Sequence, residues 1–255
     1  MAAEHVVLLL AAALAAGWVD AVVGGGGLIQ LPALMLVHPG QAVAALATNK
    51  LGSIAGTSSA AVAYLRKAKP DLRVALPAGA LAVCFAAVGA LCAAAISSAV
   101  LKPLVMVVLL TVAGIVVFKP DLGRTPKLVL RTRRRLAAAI LVPGLVIAFY
   151  DGLVGPGTGT FLVIAFTTLL GSDFVNASAN AKIINTGTNL GALAVFASQG
   201  HVLWAIGLAM AACNIVGAQI GARMAISRGA GFVRVVLLCV VSAMVAKLGY
   251  EQFLA

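Results

Sequence analysis

The sequence predicts an all-α polytopic membrane protein built from two homologous halves. Three observations predict it: an extreme apolar composition, ten apolar segments bounded by polar or glycine-rich punctuation, and an internal repeat. The 255 residues are 62% hydrophobic, carry 18 Lys or Arg against 7 Asp or Glu, and have a mean hydropathy of +1.11. Soluble domains hold about 45–50% apolar residues and about a quarter charged ones. So few charged groups could not cover the surface of so apolar a chain, which excludes a water-soluble domain, and a disordered chain with it. The net charge of +11 would ordinarily suggest nucleic acid, but aromatic residues make up only 5% and no solvated basic face is available. A lipid bilayer is the partner that explains the charge, and no nucleic-acid partner is expected.

A hydrocarbon core about 30 Å thick needs about 20 apolar helical residues. The first half offers segments at 5–23, 28–37, 41–65, 74–96 and 99–118, and the second at 136–154, 160–170, 174–198, 202–223 and 231–250. Eight are long enough to span. The segments 28–37 and 160–170 reach about half a bilayer, and each follows a Gly-rich break. The first segment is read as retained rather than as a cleaved signal, because its n-region carries Glu4 and His5 and no Lys or Arg.

Basic residues give the orientation, since cytoplasmic loops retain Lys and Arg. They cluster at Arg66, Lys67, Lys69 and Arg73, along the linker from Lys119 to Arg135, and at Arg223, Arg228 and Arg234. If every segment reverses direction from an outer N-terminus, all three clusters face the cytoplasm. The competing topology, with the short segments re-entrant and both halves in one orientation, places Arg223 and Arg228 outside. The domain reading is 1–118 for the first half, 119–135 for a basic cytoplasmic linker and 136–255 for the second half. Cys84, Cys92, Cys213 and Cys239 lie in apolar runs without C-x-x-C spacing and read as free buried thiols.

The repeat is visible in paired motifs. GWVDAVVGGGGLIQLP at 17–32 stands opposite AFYDGLVGPGTGTF at 148–161, and TNKLGSIAGT at 48–57 opposite NAKIINTGTN at 180–189. Asp20 aligns with Asp151 and Lys50 with Lys182. Five segments per half is an odd number, so the second copy is inverted relative to the first. Inverted repeats characterise secondary transporters, whose sites lie near the midplane at the repeat interface.

Four features carry chemistry. Lys50 and Lys182 fall near the middle of their segments, where a Lys costs about 2.5–3.5 kcal/mol on insertion scales. Recurrence in both halves favours function over snorkelling. The breaks at Gly24–Gly27 and Gly155–Gly159 each lead into a half-length helix, whose N-terminus offers unpaired N–H groups and partial positive charge. Gly25, Gly26, Gly157 and Thr158 are the expected ligand-facing positions, and two such N-termini with two ammonium groups make an anion site. Asn49, Thr57, Asn185 and Asn189 lie within two turns of the lysines and are expected to add hydrogen bonds. Asp20 and Asp151 precede the breaks and are expected to pair with the Lys of their own half, orienting it, or to titrate and couple a proton. The G-x-x-x-G spacings at Gly52/Gly56, Gly187/Gly191 and Gly217/Gly221 read as helix packing. Isolated His5, His38 and His201 and the lack of zincin or P-loop spacing give no metal, cofactor or hydrolase reading. The Gly runs match a dinucleotide loop only weakly, with no βαβ unit around them.

These motifs resemble the sulfite exporter TauE/SafE family, also called the 4-toluene sulfonate uptake permease family, over essentially the whole chain. The resemblance implies a bacterial inner-membrane transporter for sulfur-containing anions such as sulfite or organosulfonates. Sulfur is contributed by the resemblance alone; the residues by themselves indicate a small anion. Two other functions stay open on the residues: a passive anion channel, which shares these site chemistries, and, more remotely, an intramembrane aspartyl protease using Asp20 and Asp151 as a dyad. A homo-oligomer is compatible with the sequence.

Overall fold

The computed structural model describes residues 2–101, 103–105, 107, 108, 111 and 132–253; beyond Gly229 the described side chains are those of Gly231, Phe232 and Val235. Among the described residues all regular structure is helical: α1 (Ala3–Val23), α2 (Gly27–Val37), α3 (Ala42–Leu65), α4 (Leu72–Ala95), α5 (Arg133–Leu153), α6 (Thr158–Leu170), α7 (Phe174–Ser198) and α8 (Trp204–Phe253). A π-helical stretch interrupts α5 at Val142–Ile147, where Pro143 has no N–H to give the helical ladder. As the two segments expected at 202–223 and 231–250 imply, α8 is two helices that meet at Gly229, whose φ of 69° and ψ of −165° are not helical. Most of 99–118 and the linker up to residue 131 lie outside the described residues, so the expected boundary between the halves is not placed.

Among the described residues four helical stretches are long and apolar enough to cross a membrane: Ala3–Val23, Leu72–Ala95, Arg133–Leu153 and Trp204–Gly229. The chain is a multi-pass membrane protein. α3 and α7 match them in length at 24 and 25 residues but are more polar, because they carry the buried Lys and Asn side chains. Cys84 and Cys92 are free but lie exposed on the outer face of α4, and Cys213 is half-buried. This corrects the reading of buried thiols: an apolar run facing lipid reads the same as one facing a core.

Glycine contacts fix how the helices run. Gly17 approaches Asn214, and Gly217 and Gly221 approach Leu14 and Trp18, so α1 and α8 pack closely and run parallel. Gly144 meets Ala78 and Gly152 meets Ala86, so α5 runs parallel to α4 in the same manner. Gly187 and Gly191 seat α7 on Gly79 and Val83 of α4. α3 and α7 run antiparallel. They meet where Asn189 Nδ2 donates to Thr57 Oγ1 at 3.1 Å, and beyond the end of α3 the Lys69 N–H donates to Asn176 Oδ1 at 2.7 Å.

The short helices turn back. Leu34 and Met35 near the end of α2 share an apolar cluster with Leu9 of α1 and Ala42 at the start of α3. Leu170 at the end of α6 likewise packs among Val74, Ala139 and Ala177, near the starts of α4, α5 and α7. Each short helix therefore returns to the level from which its long helix came. On the opposite level from the start of α1, Tyr64 ends α3 beside Ala222 and Ala225 of α8. Arg66, Lys67, Lys69, Arg73, Arg223 and Arg228 gather there.

Candidate anion site at the crossing of two glycine breaks

The two Gly-rich breaks lie against each other, backbone to backbone. Gly24 has φ of +79°, the left-handed region that glycine enters without strain, and caps α1 by donating its N–H to the Asp20 carbonyl. A Cβ on Gly24 would collide with the backbone of Gly159, and a Cβ on Gly159 with that of Gly24. Thr160 Oγ1 spans the same crossing, donating to the Val23 carbonyl at 2.9 Å. The N-terminus of α2 and that of α6 are thereby brought to one place.

Two ion pairs flank this crossing, and both join one half of the chain to the other. Lys50 Nζ lies 2.9 Å from Asp151 Oδ2, with the side chains 2% and 3% exposed. Lys182 Nζ lies 2.7 Å from Asp20 Oδ2 and also donates to the Asp20 carbonyl. The expectation that each Asp pairs within its own half is corrected. Because the breaks cross, each Asp is carried against the long helix of the other half. Asp20 and Asp151 pair with different lysines rather than with each other, which is not the arrangement of a proton-sharing dyad. The lysines also approach from opposite levels. At about 1.5 Å per residue, Lys50 and Lys182 each stand about 10 Å along their antiparallel helices from the Thr57–Asn189 contact, in opposite directions.

A small polar cavity of about 20 Å³, partly open to the exterior, sits at the crossing. Of the residues expected at the site, Asp20, Asn49, Lys50, Asp151, Gly157, Thr158, Asn185 and Asn189 line it. Gly24, Gly27, Ser53, Gly155 and Gly159 line it as well. Lys182, Gly25, Gly26 and Thr57 are not among the lining. Lys182 is turned to Asp20, Gly26 packs on Ala16 and Asp20, and Thr57 bonds to the Ser53 carbonyl and to Asn189. Ser53 had a readable signal, since it stands three residues after Lys50 on one helix face and aligns with Asn185 in the repeat.

The charges in this cavity are balanced in an uneven way. Asp151 is held by Lys50 and by Thr158 Oγ1, which donates to Oδ1 at 2.7 Å and itself lies 2.6 Å from the Gly155 carbonyl. Lys50 Nζ pairs with Asp151 Oδ2 at 2.9 Å and has no other partner among the described residues, which leaves ammonium protons for a ligand. Asn49, 4% exposed, has an Oδ1 with no partner. Two helix N-termini add partial positive charge; Leu28, Ile29 and Thr158 already give their N–H groups to the carbonyls of Gly25, Gly26 and Gly155, which leaves those of Gly27 and Gly159 at the cavity.

A second buried polar cluster went unread in the sequence. Gln30 of α2, fully buried, accepts at Oε1 from Asn214 Nδ2 at 2.9 Å, and Asn214 also donates to the Ala13 carbonyl at 3.2 Å. Gly52 and Gly56 of α3 leave room for this amide pair; a Cβ at either would strike it. That G-x-x-x-G spacing therefore houses side chains, whereas Gly187/Gly191 and Gly217/Gly221 do pack helices. The cluster ties the half-helix α2 to α1 and α8. Gln30→Leu leaves Asn214 short of an acceptor, and we expect it to lower stability by about 1–3 kcal/mol, read as a melting shift in detergent.

The profile of the sulfite exporter TauE/SafE family matches residues 9–248. The chain belongs to this family. Similar curated proteins are a probable membrane transporter protein ORF9 of a Sinorhizobium species, 37% identical over 94% of this chain and 90% of that one, and a probable membrane transporter protein of Haemophilus influenzae, 34% identical over 96% and 94%. The probable membrane transporter protein YfcA of Escherichia coli K12 is 34% identical over 96% of this chain and 90% of that one. No solved structure matches the chain. As a member of a transporter family with four clear apolar spans, it is a membrane transporter and not an enzyme.

Proposed function

We propose that the chain is a secondary transporter of a small sulfur-containing anion, of the sulfite or organosulfonate class, in the bacterial inner membrane. The anion sits in the cavity at the crossing, against the Lys50 ammonium and the N-termini of α2 and α6. One observation carries this reading: a buried lysine whose one partner among the described residues is Asp151 shares a polar cavity with two helix N-termini. The two halves act as an inverted repeat. Support for that comes from the antiparallel pairing of α3 with α7, the exchange of acids between halves, and the gathering of basic residues at one level, which is the cytoplasmic side. Lys182 with Asp20 is the second half's counterpart of Lys50 with Asp151.

Proton coupling follows from the charge balance. Two lysines and two aspartates leave the site neutral, so an anion taking Lys50 deprives Asp151 of its counter-ion. A proton accompanying the anion restores the balance. Anion binding should therefore strengthen as pH falls, with about one proton taken up per anion, measured by titration in two buffers of different ionisation enthalpy. Binding without proton uptake would remove the coupling. In proteoliposomes, sulfite should accumulate against its own gradient when a proton gradient is imposed. Equilibration without accumulation would instead identify a passive anion channel.

A further inference from the structure

We infer that the ligand of this cavity is an oxyanion carrying its own hydrogen-bond donor: a monoanionic head for Lys50 and, beside it, an N–H or O–H group for Asp20. The inference rests on the anion site proposed above and adds what that site selects. A cavity for a plain anion would be lined by donors alone, because an acceptor facing an anionic oxygen repels it. This lining is divided. Donors come from the Lys50 ammonium, the Asn185 amide and the N–H groups of Gly27 and Gly159 in the first turns of α2 and α6.

Acceptors face the same space. Asp20 lines the cavity with its side chain 17% exposed, against 3% for Asp151. Lys182 occupies Asp20 Oδ2 and the Asp20 carbonyl, and among the described residues no donor reaches Asp20 Oδ1. Asn49 also lines the cavity; its Oδ1 is buried and unpartnered, and turning its amide over would present that oxygen to the space. Asp151 is engaged at both oxygens: Thr158 donates to Oδ1, and Oδ2, which accepts no hydrogen bond of normal geometry, is ion-paired with the Lys50 ammonium at 2.9 Å.

An anion without a donor would leave Asp20 Oδ1 unpaired or opposed to a negative oxygen. A site built around a hydrogen bond discriminates strongly against the analogue that lacks it, because its own polar group is then left unsatisfied. The donor belongs to one of two kinds, a neutral O–H or N–H or a cationic ammonium, and both satisfy Asp20.

Methanesulfonate, sulfamate and aminomethanesulfonate test the inference on the purified full chain by isothermal titration. The first two are isosteric and differ by a methyl against an amino group on the same head; the third offers an ammonium. Sulfamate, aminomethanesulfonate or both should bind at least about tenfold more tightly than methanesulfonate. Tighter sulfamate identifies a neutral donor and tighter aminomethanesulfonate a cationic one. Asp20→Ala should bring the three within about twofold of one another. Asp20→Asn, which keeps an acceptor oxygen and loses the charge, should retain preference for sulfamate over methanesulfonate, with melting curves showing that each variant is folded. Equal binding of all three probes to the unaltered chain, or a preference that survives in folded Asp20→Ala, overturns the inference while leaving the anion site standing. Binding of none of them overturns both.

Discussion

Lys50→Ala should abolish anion binding and also weaken the fold, and the two losses can be separated. The ammonium is 2% exposed and is the counter-ion of Asp151, itself 3% exposed. Removing one partner of a buried pair costs about 3–5 kcal/mol, most of it the penalty of the charge left behind. Asp151→Asn on top of Lys50→Ala removes that stranded charge. The double variant should therefore recover most of the lost melting temperature but none of the anion affinity, which falls by about 2–5 kcal/mol, or about thirtyfold and more. Lys182→Ala should lower stability through Asp20 in the same way, with a smaller direct effect on binding because Lys182 does not line the cavity. Affinity returning with stability in the Lys50 and Asp151 double variant would mean that Lys50 is a structural ion pair only.

Gly159→Ala should disrupt the site through a single added methyl. Its helical backbone accepts alanine without strain, so any cost arises from the collision of the new methyl with Gly24 across the crossing. Overpacking costs about 1–3 kcal/mol where side chains can yield, and here the neighbour is backbone. The expected result is loss of folded protein, or a folded protein with the cavity pushed open and transport lost. Gly24→Ala adds to the same collision the left-handed penalty of about 1–2 kcal/mol, since its φ is +79°. Gly40→Ala supplies the control, with φ of +82° and open space around the Cβ. It should cost only that left-handed penalty and leave transport intact. Expression, melting temperature and uptake in proteoliposomes measure all three.

Much of this arrangement was legible in the sequence because membrane helices write themselves in runs of fixed length. α1 to α7 begin and end within about three residues of segments read from hydropathy and punctuation, while most of the segment expected at 99–118 falls outside the described residues. The short helices and their glycine breaks were visible for the same reason: four consecutive glycines interrupt a helix, and the apolar run after them is only half a bilayer long. Pairing was not legible. Asp20 stands 30 residues before Lys50 and 162 before Lys182, and only the crossing of Gly24 with Gly159 decides which lysine it meets. Periodicity says nothing about such a crossing, because both partners are glycines without side-chain pattern. Gln30 and Asn214 were overlooked because each is a lone amide in an apolar helix, and their meeting depends on the absence of side chains at Gly52 and Gly56. The cysteines misled in the opposite direction, since apolar surroundings in sequence do not separate a core-facing helix face from one turned to lipid.

The central claim is that an anion occupies the cavity at the crossing, and the most direct measurement is to see one there. Selenite is an oxyanion close in shape to sulfite, and its selenium can be located by anomalous scattering. A structure of the full chain with selenite should place one selenium peak in the cavity, within hydrogen-bonding reach of Lys50 Nζ through its oxygens and facing the first turns of α2 and α6. A selenium peak elsewhere, with Lys50 still paired to Asp151 over an empty cavity, would contradict the account.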